Sequence, residues 1–234
     1  MLLACAGLLS CVNPFVPIGA AMGKVLPRAM NYDGVQYPFV VYVPTTYQAG
    51  QKLPALLLAH GAGGNGPAFL TNWKDFAESH GIILVAPTLD LSAEAETRVP
   101  LVFPRIMEAV QQEWGVDTSR RYLFGYSAGG YFVYDAALLN ANYFAGAAVF
   151  GAVIQPEYDG IVTQAVRITG IAIYLGEQDL FFTLQQGRRT RDLLLSHGID
   201  VHYVELPGRG HDYPAVANSV NADAWAYLSG RTLR

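Results

Sequence analysis

Five short apolar runs constrain this chain more than any other feature. They are Leu53–Ala59, Ile82–Ala86, Tyr122–Tyr126, Ala145–Phe150 and Gly170–Leu175. Runs this short and without polar alternation suit strands buried on both faces of a parallel sheet. Stretches with helical spacing separate them. Pro67–His80 places Phe69, Leu70, Trp73, Phe76 and Ala77 on one stripe, and Pro100–Trp114 does so with Leu101, Ile106, Met107 and Val110. Gly130–Leu139, Thr183–Leu195 and Tyr213–Leu228 follow suit. A strand over Gln36–Val43, after a turn at Asn31–Gly34, and another over Asp200–Leu206 complete the series. The alternation predicts an α/β fold with a mostly parallel central sheet and helices on both faces. Ligands of such sheets bind at the carboxyl ends of the strands. His60, Ser127, Asp179 and His211 each stand just after an apolar strand.

The 234 residues can bury one large core. With 52% apolar and 15% charged residues, disorder is excluded. A net charge of −4 without a basic cluster gives no footprint for nucleic acid. Both cysteines, Cys5 and Cys11, lie at the start, so the domain that follows has no disulfide framework and no cysteine metal site. The apolar run Met1–Val12 is too short for a transmembrane span and reads as the core of a secretory leader. Leu8-Leu9-Ser10-Cys11 resembles the lipobox of bacterial lipoproteins, which would anchor Cys11 to lipid and export the chain to the periplasm, envelope or exterior. No Lys or Arg precedes Lys24, so a basic segment before the apolar run is missing. The division is therefore a leader and linker over residues 1–23 and one domain over residues 24–234.

Gly125-Tyr126-Ser127-Ala128-Gly129 matches the G-x-S-x-G signature, with a strand-like run before it and a helix-like run after it. Such a strand–turn–helix holds a serine on a sharp, strained turn that demands small flanking residues. A serine hydroxyl is a weak nucleophile and needs a base, and the base needs a carboxylate to orient it. His80 and His197 close helices just before glycines, and His202 lies inside a strand. His211, in the loop Gly208-Arg-Gly-His211, is the preferred base. For the acid, Asp179 is preferred because the loop Gly176-Glu-Gln-Asp179 turns before it; Glu177 is next, and Asp212 reads as solvent-facing or capping. Backbone donors for a developing oxyanion would be Ala128 and, from the loop His60–Gly64, Ala62 or Gly63. That loop lacks the G-K-[ST] ending of a phosphate cradle, and no His-x-His or His-Glu-x-x-His pair offers a metal site, so neither metal nor cofactor is expected.

From about residue 27 onward the chain resembles an α/β-hydrolase: His60-Gly61, the elbow at Ser127, Asp179 and His211 fall in that order. Ser-Ala-Gly-Gly after Tyr126 and Gly-Arg-Gly-His-Asp-Tyr near the end are similar to poly(3-hydroxybutyrate) depolymerases and feruloyl esterases. It departs from them in Ala62, where Cys often follows His-Gly, and in lacking the disulfide many secreted members use. Dienelactone hydrolases share the fold, but their nucleophile is typically Cys, and here it is Ser127. The resemblance implies a serine esterase for short-chain or aromatic acyl esters, small or polymeric. An acyltransferase, a peptidase or a non-catalytic binding protein are the alternatives. Such an enzyme loses activity as acid protonates its base. The short Gly151–Ile168 loop argues against a large lid. His60, Tyr126, Phe181 and Tyr213 are the expected substrate contacts, although aromatics beside strand ends read equally as core. Trp225 and Tyr227 read as packing residues.

Overall fold

The architecture is that of a computed structural model describing residues 21–90, 98–163 and 170–233. The expected leader, Cys5, Cys11 and the tail of the Gly151–Ile168 loop lie outside those residues. An antiparallel hairpin opens the sheet, β1 (Val25–Tyr32) and β2 (Val35–Tyr42). Asp33 and Gly34 both take positive φ, 52° and 79°. That is the type I′ turn, whose twist matches the strands it joins. β1 is an edge strand that the sequence did not announce. Pro27, Arg28 and Asn31 interrupt its pattern, and only Leu26 and Met30 are fully buried, with Tyr32 partly buried against the core. Proline is tolerated there because an edge strand has no partner on one side.

The remaining strands are β3 (Leu53–Ala59), β4 (Ile83–Pro87), β5 (Val116–Tyr126), β6 (Gly146–Phe150), β7 (Gly170–Gly176) and β8 (Val201–Leu206). Their spatial order is β1-β2-β4-β3-β5-β6-β7-β8, and every neighbouring pair from β4 to β8 is parallel. β3, β4, β6 and β7 are buried along their whole length. Alternate side chains feed two cores. Leu57, Val85 and Leu123 pack under helices α2 (Val99–Glu113) and α3 (Ala128–Leu139). Leu56, Leu58 and Phe124 pack under α1 (Gly66–His80) and the C-terminal helix (Ala217–Ser229). Each fully buried Leu or Phe contributes roughly 1.5–3 kcal/mol by leaving water, which is why the strands tolerate no polar residue there.

Local signals set the helix ends. Asn65 caps α1 by accepting from the Ala68 amide at 2.9 Å, and Gly81 closes it with φ 65°. After β6 comes a 3₁₀ turn, Pro156–Tyr158, then a one-turn helix α4 (Gly160–Thr163). Thr183 and Gln186 form a reciprocal capping box that starts α5 (Leu184–Ser196). A 3₁₀ turn at Tyr213–Val216 leads into α6 (Ala217–Ser229). Among the described residues no helix is long and apolar enough to cross a membrane. The chain reverses sides after β4, since β3 sits between β4 and β5. The loops after β3 and β5 therefore emerge side by side, at the reversal where such sheets bind ligands.

Candidate active site

Ser127 joins β5 to α3 with φ 52° and ψ −123°, one of two non-glycine residues at positive φ among those described. Its amide donates to Phe150 O at 2.9 Å, which pins the turn to the neighbouring strand. A Cβ on Gly125 would come within 2.7 Å of Gly129 O, and one on Gly129 within 2.3 Å of Ala59 O. Strand and helix meet so closely here that a methyl group has no room.

His211 lies beyond β8, on the loop that Gly208 opens at φ 64°. Its Nε2 is 2.7 Å from Ser127 Oγ, and its Nδ1 is 2.7 Å from Asp179 Oδ2. The Asp179 side chain is fully buried, and its other oxygen accepts from the amides of Phe181 and Phe182 at 2.8 and 3.0 Å. With Nδ1–H donating to this carboxylate, Nε2 carries a lone pair aimed at the serine hydroxyl. Glu177 is engaged elsewhere: its carboxylate accepts from Gly208 N at 2.9 Å, while Gln178 N donates to Arg209 O at 2.7 Å. It ties the loop after β7 to the loop after β8.

The loop after β3 lies against the serine. A Cβ on Gly61 would stand 3.2 Å from Ser127 Cβ. The loop is closed by Gly64 N donating to Gly61 O at 3.1 Å. Among the described residues no acceptor takes the amide of Ala62 or that of Ala128, the first residue of α3. Two backbone donors are thus left unpaired beside Ser127.

The expected substrate contacts divide. Phe181 is 71% exposed, with its ring 4.7 Å from that of His211. Tyr126 is half-buried, and its hydroxyl donates to the His211 carbonyl at 2.7 Å. Its ring faces the site, but its polar end holds the histidine loop. Tyr213 is not a wall of the site. It is completely buried against Phe124 and Phe150, and its hydroxyl donates to Asn221 Oδ1. The 3₁₀ turn after His211 directs the ring inward, and burial pushes its phenol pKa well up. His60 lies at the back of the open hollow beside its own loop rather than exposed in it. It is 2% exposed, its Nε2 accepts from Leu89 N at 2.9 Å, and its Nδ1 donates to Gly61 O at 2.8 Å. Both nitrogens are used in bracing the loop. Burial lowers its pKa, with the Gly61 bond opposing, so the neutral ring is favoured. Phe182, an aromatic beside a strand end like Phe181, has its ring 5.8 Å from that of His211. Two further features were not legible in the sequence: Gly151, where a Cβ would meet His211 Cε1 at 2.8 Å, and the Glu177 tie.

The sequence matches the dienelactone hydrolase family over residues 39–229. The chain belongs to that family. A bifunctional acetylxylan esterase/xylanase from Neocallimastix patriciarum is 32% identical over 127 residues, covering 48% of this chain. The match spans only 18% of that longer protein. Among solved structures, Thermogutta terrifontis esterase 2 superposes with a TM-score of 0.74 at 15% identity, over 89% of this chain and 95% of that one. An S-formylglutathione hydrolase from Staphylococcus aureus gives 0.69 at 20% identity, over 87% and 97%. A thermostable esterase gives 0.72 at 18%, over 91% of this chain but 64% of its own length. At such identities the structures establish the α/β-hydrolase fold alone.

Proposed function

We propose that this family member is a serine esterase working through an acyl-enzyme on Ser127. The observation that carries the reading is His211, bridging the Ser127 hydroxyl and the buried Asp179 carboxylate at 2.7 Å on each side. Ser127 Oγ attacks the ester carbonyl while His211 Nε2 takes its proton. Asp179 holds the ring in the productive tautomer and stabilises the imidazolium. The amides of Ala62 and Ala128 receive the developing oxyanion, and a lost donor of this kind typically costs 10²–10³ in rate. The imidazolium then returns the proton to the departing alkoxide, and the same nitrogen activates the water that frees the acid. Short-chain or aromatic acyl esters fit a site whose rim carries the exposed Phe181.

The test is the initial rate on a short-chain nitrophenyl ester, with Ser127→Ala alongside the wild type. The expected result is loss of activity in the variant, together with loss of labelling by a serine-directed phosphonate. Activity that survives the substitution refutes the reading.

A further inference from the structure

Two hollows flank Ser127, and their walls differ. One is a cavity of about 330 Å³ that begins at Ala128. Tyr131, Phe132, Tyr134, Ile154, Tyr158 and Ile161 form most of its wall. The other is a cleft of similar volume against the His60–Asn65 loop, more open to solvent. Ala62, Asn65, Thr71, Asn72, Tyr126 and Pro214 line it. Each hollow is lined by one of the two residues whose amides are unpaired, Ala128 or Ala62. An ester whose carbonyl oxygen sits between those amides has one hollow on either hand for its two substituents.

We propose that the cavity beside Ala128 is the acyl site, shaped for a ring-bearing acyl group, and that the open cleft receives the alcohol. The assignment rests on the esterase reading above. Proton delivery gives the direction. The leaving oxygen must take its proton from His211 Nε2, so the alcohol lies on the side of the histidine loop. The open cleft is walled by Tyr126, which holds the His211 carbonyl, and by Pro214 from that same loop. The cavity draws none of its lining from that loop.

The order of events agrees. The acyl group stays through the second half of the reaction, whereas the alcohol must leave and water must enter. Size sets the acyl class. A cavity of about 150 Å³ accommodates benzene, so this one has room for a phenyl ring on a short arm and would be mostly empty around acetyl. Its aromatic walls are fixed in place. Phe182 braces Tyr131 at 6.1 Å between ring centroids, and the Tyr134 hydroxyl donates to Ala152 O at 3.2 Å. Rings at these positions offer edge and face contacts to an aryl group. Gln155 adds a hydrogen-bonding group to the same wall, suited to a ring hydroxyl.

The test compares kcat/KM for nitrophenyl acetate and nitrophenyl 3-phenylpropanoate, and separately for methyl and benzyl alcohol esters of one common acid. The wild type should prefer the phenylpropanoate. Gln155→Trp, which narrows the half-exposed mouth, should lower that acyl preference at least tenfold and leave the alcohol preference unmoved. Tyr158→Ala, at an exposed position, should lower it in the same direction by removing a wall. Cleavage with an unmoved acyl ratio, or a shift in alcohol preference instead, overturns the assignment alone. Absence of cleavage of any of these esters by the wild type overturns the esterase reading and the assignment with it.

Discussion

Replacing Asp179 by Asn tests the proposed relay at the point where the structure dictates the outcome. An amide could in principle turn either end toward His211. Here the choice is made by the two amides on the other oxygen, Phe181 N at 2.8 Å and Phe182 N at 3.0 Å. Turning the Asn nitrogen toward them would leave two buried donors unpaired, at about 1–3 kcal/mol each. The carbonyl end therefore stays on Phe181 and Phe182, and the NH₂ faces His211 Nδ1. A donor now meets a donor, so the imidazole moves its proton to Nε2. The lone pair that faces Ser127 disappears, although every heavy atom keeps its place. The analogous change in a serine protease lowers kcat by about 10⁴, or roughly 5 kcal/mol of transition-state stabilisation, and a similar loss is expected here. The assay is kcat on a nitrophenyl ester, with circular dichroism and thermal unfolding to show that the fold survives. A loss of less than tenfold in a folded variant would refute the reasoning. Glu177 offers no rescue, because Gly208 already occupies its carboxylate.

Three further outcomes are expected. Ser127→Gly should unfold at a temperature a few degrees above Ser127→Ala. Relief of the positive φ is worth about 1–3 kcal/mol, and the entropy of glycine returns only about 0.5–1. Equal midpoints in scanning calorimetry would show that the turn stores no strain. Tyr126→Phe keeps the ring but strips the His211 carbonyl of its donor; kcat should fall roughly fivefold for about 1 kcal/mol, with KM unchanged. A raised KM with normal kcat would make the Tyr126 hydroxyl a substrate contact instead. His60 has a folded pKa below its ordinary 6.5. As pH falls through that value the unfolded chain gains a proton that the folded chain refuses, so stability declines with acid until the folded value is reached. Urea unfolding at pH 7 and pH 5 should show a larger loss for wild type than for His60→Gln, and equal losses would rule this linkage out.

Elements whose stability is local were legible from the chain. β3 runs Leu53–Ala59, as its unbroken apolar run required, and α1 ends where Gly81 supplies a left-handed residue. Elements that depend on a partner were not. β1 exists because Val25–Tyr32 pairs along its whole length with β2, and its own residues carry a weak strand pattern. β5 begins at Val116, six residues ahead of its apolar run, because Val116 pairs with Leu53 across the sheet.

The order and spacing of residues determined that Ser127, Asp179 and His211 would each follow a strand, since strands and the turns after them are short-range consequences of side-chain pattern. The sequence ranked neighbours on a loop, Asp179 ahead of Glu177, but could not give each its partner. Asp179 and Glu177 are two residues apart, yet one reaches His211 and the other Gly208. Tyr126 and Tyr213 flank Ser127 and His211 alike, yet one borders the open cleft and the other is sealed in the core. Those choices belong to the tertiary structure. The direction of a loop side chain depends on which groups from distant strands are already satisfied, and that is known only once β7 and β8 lie side by side.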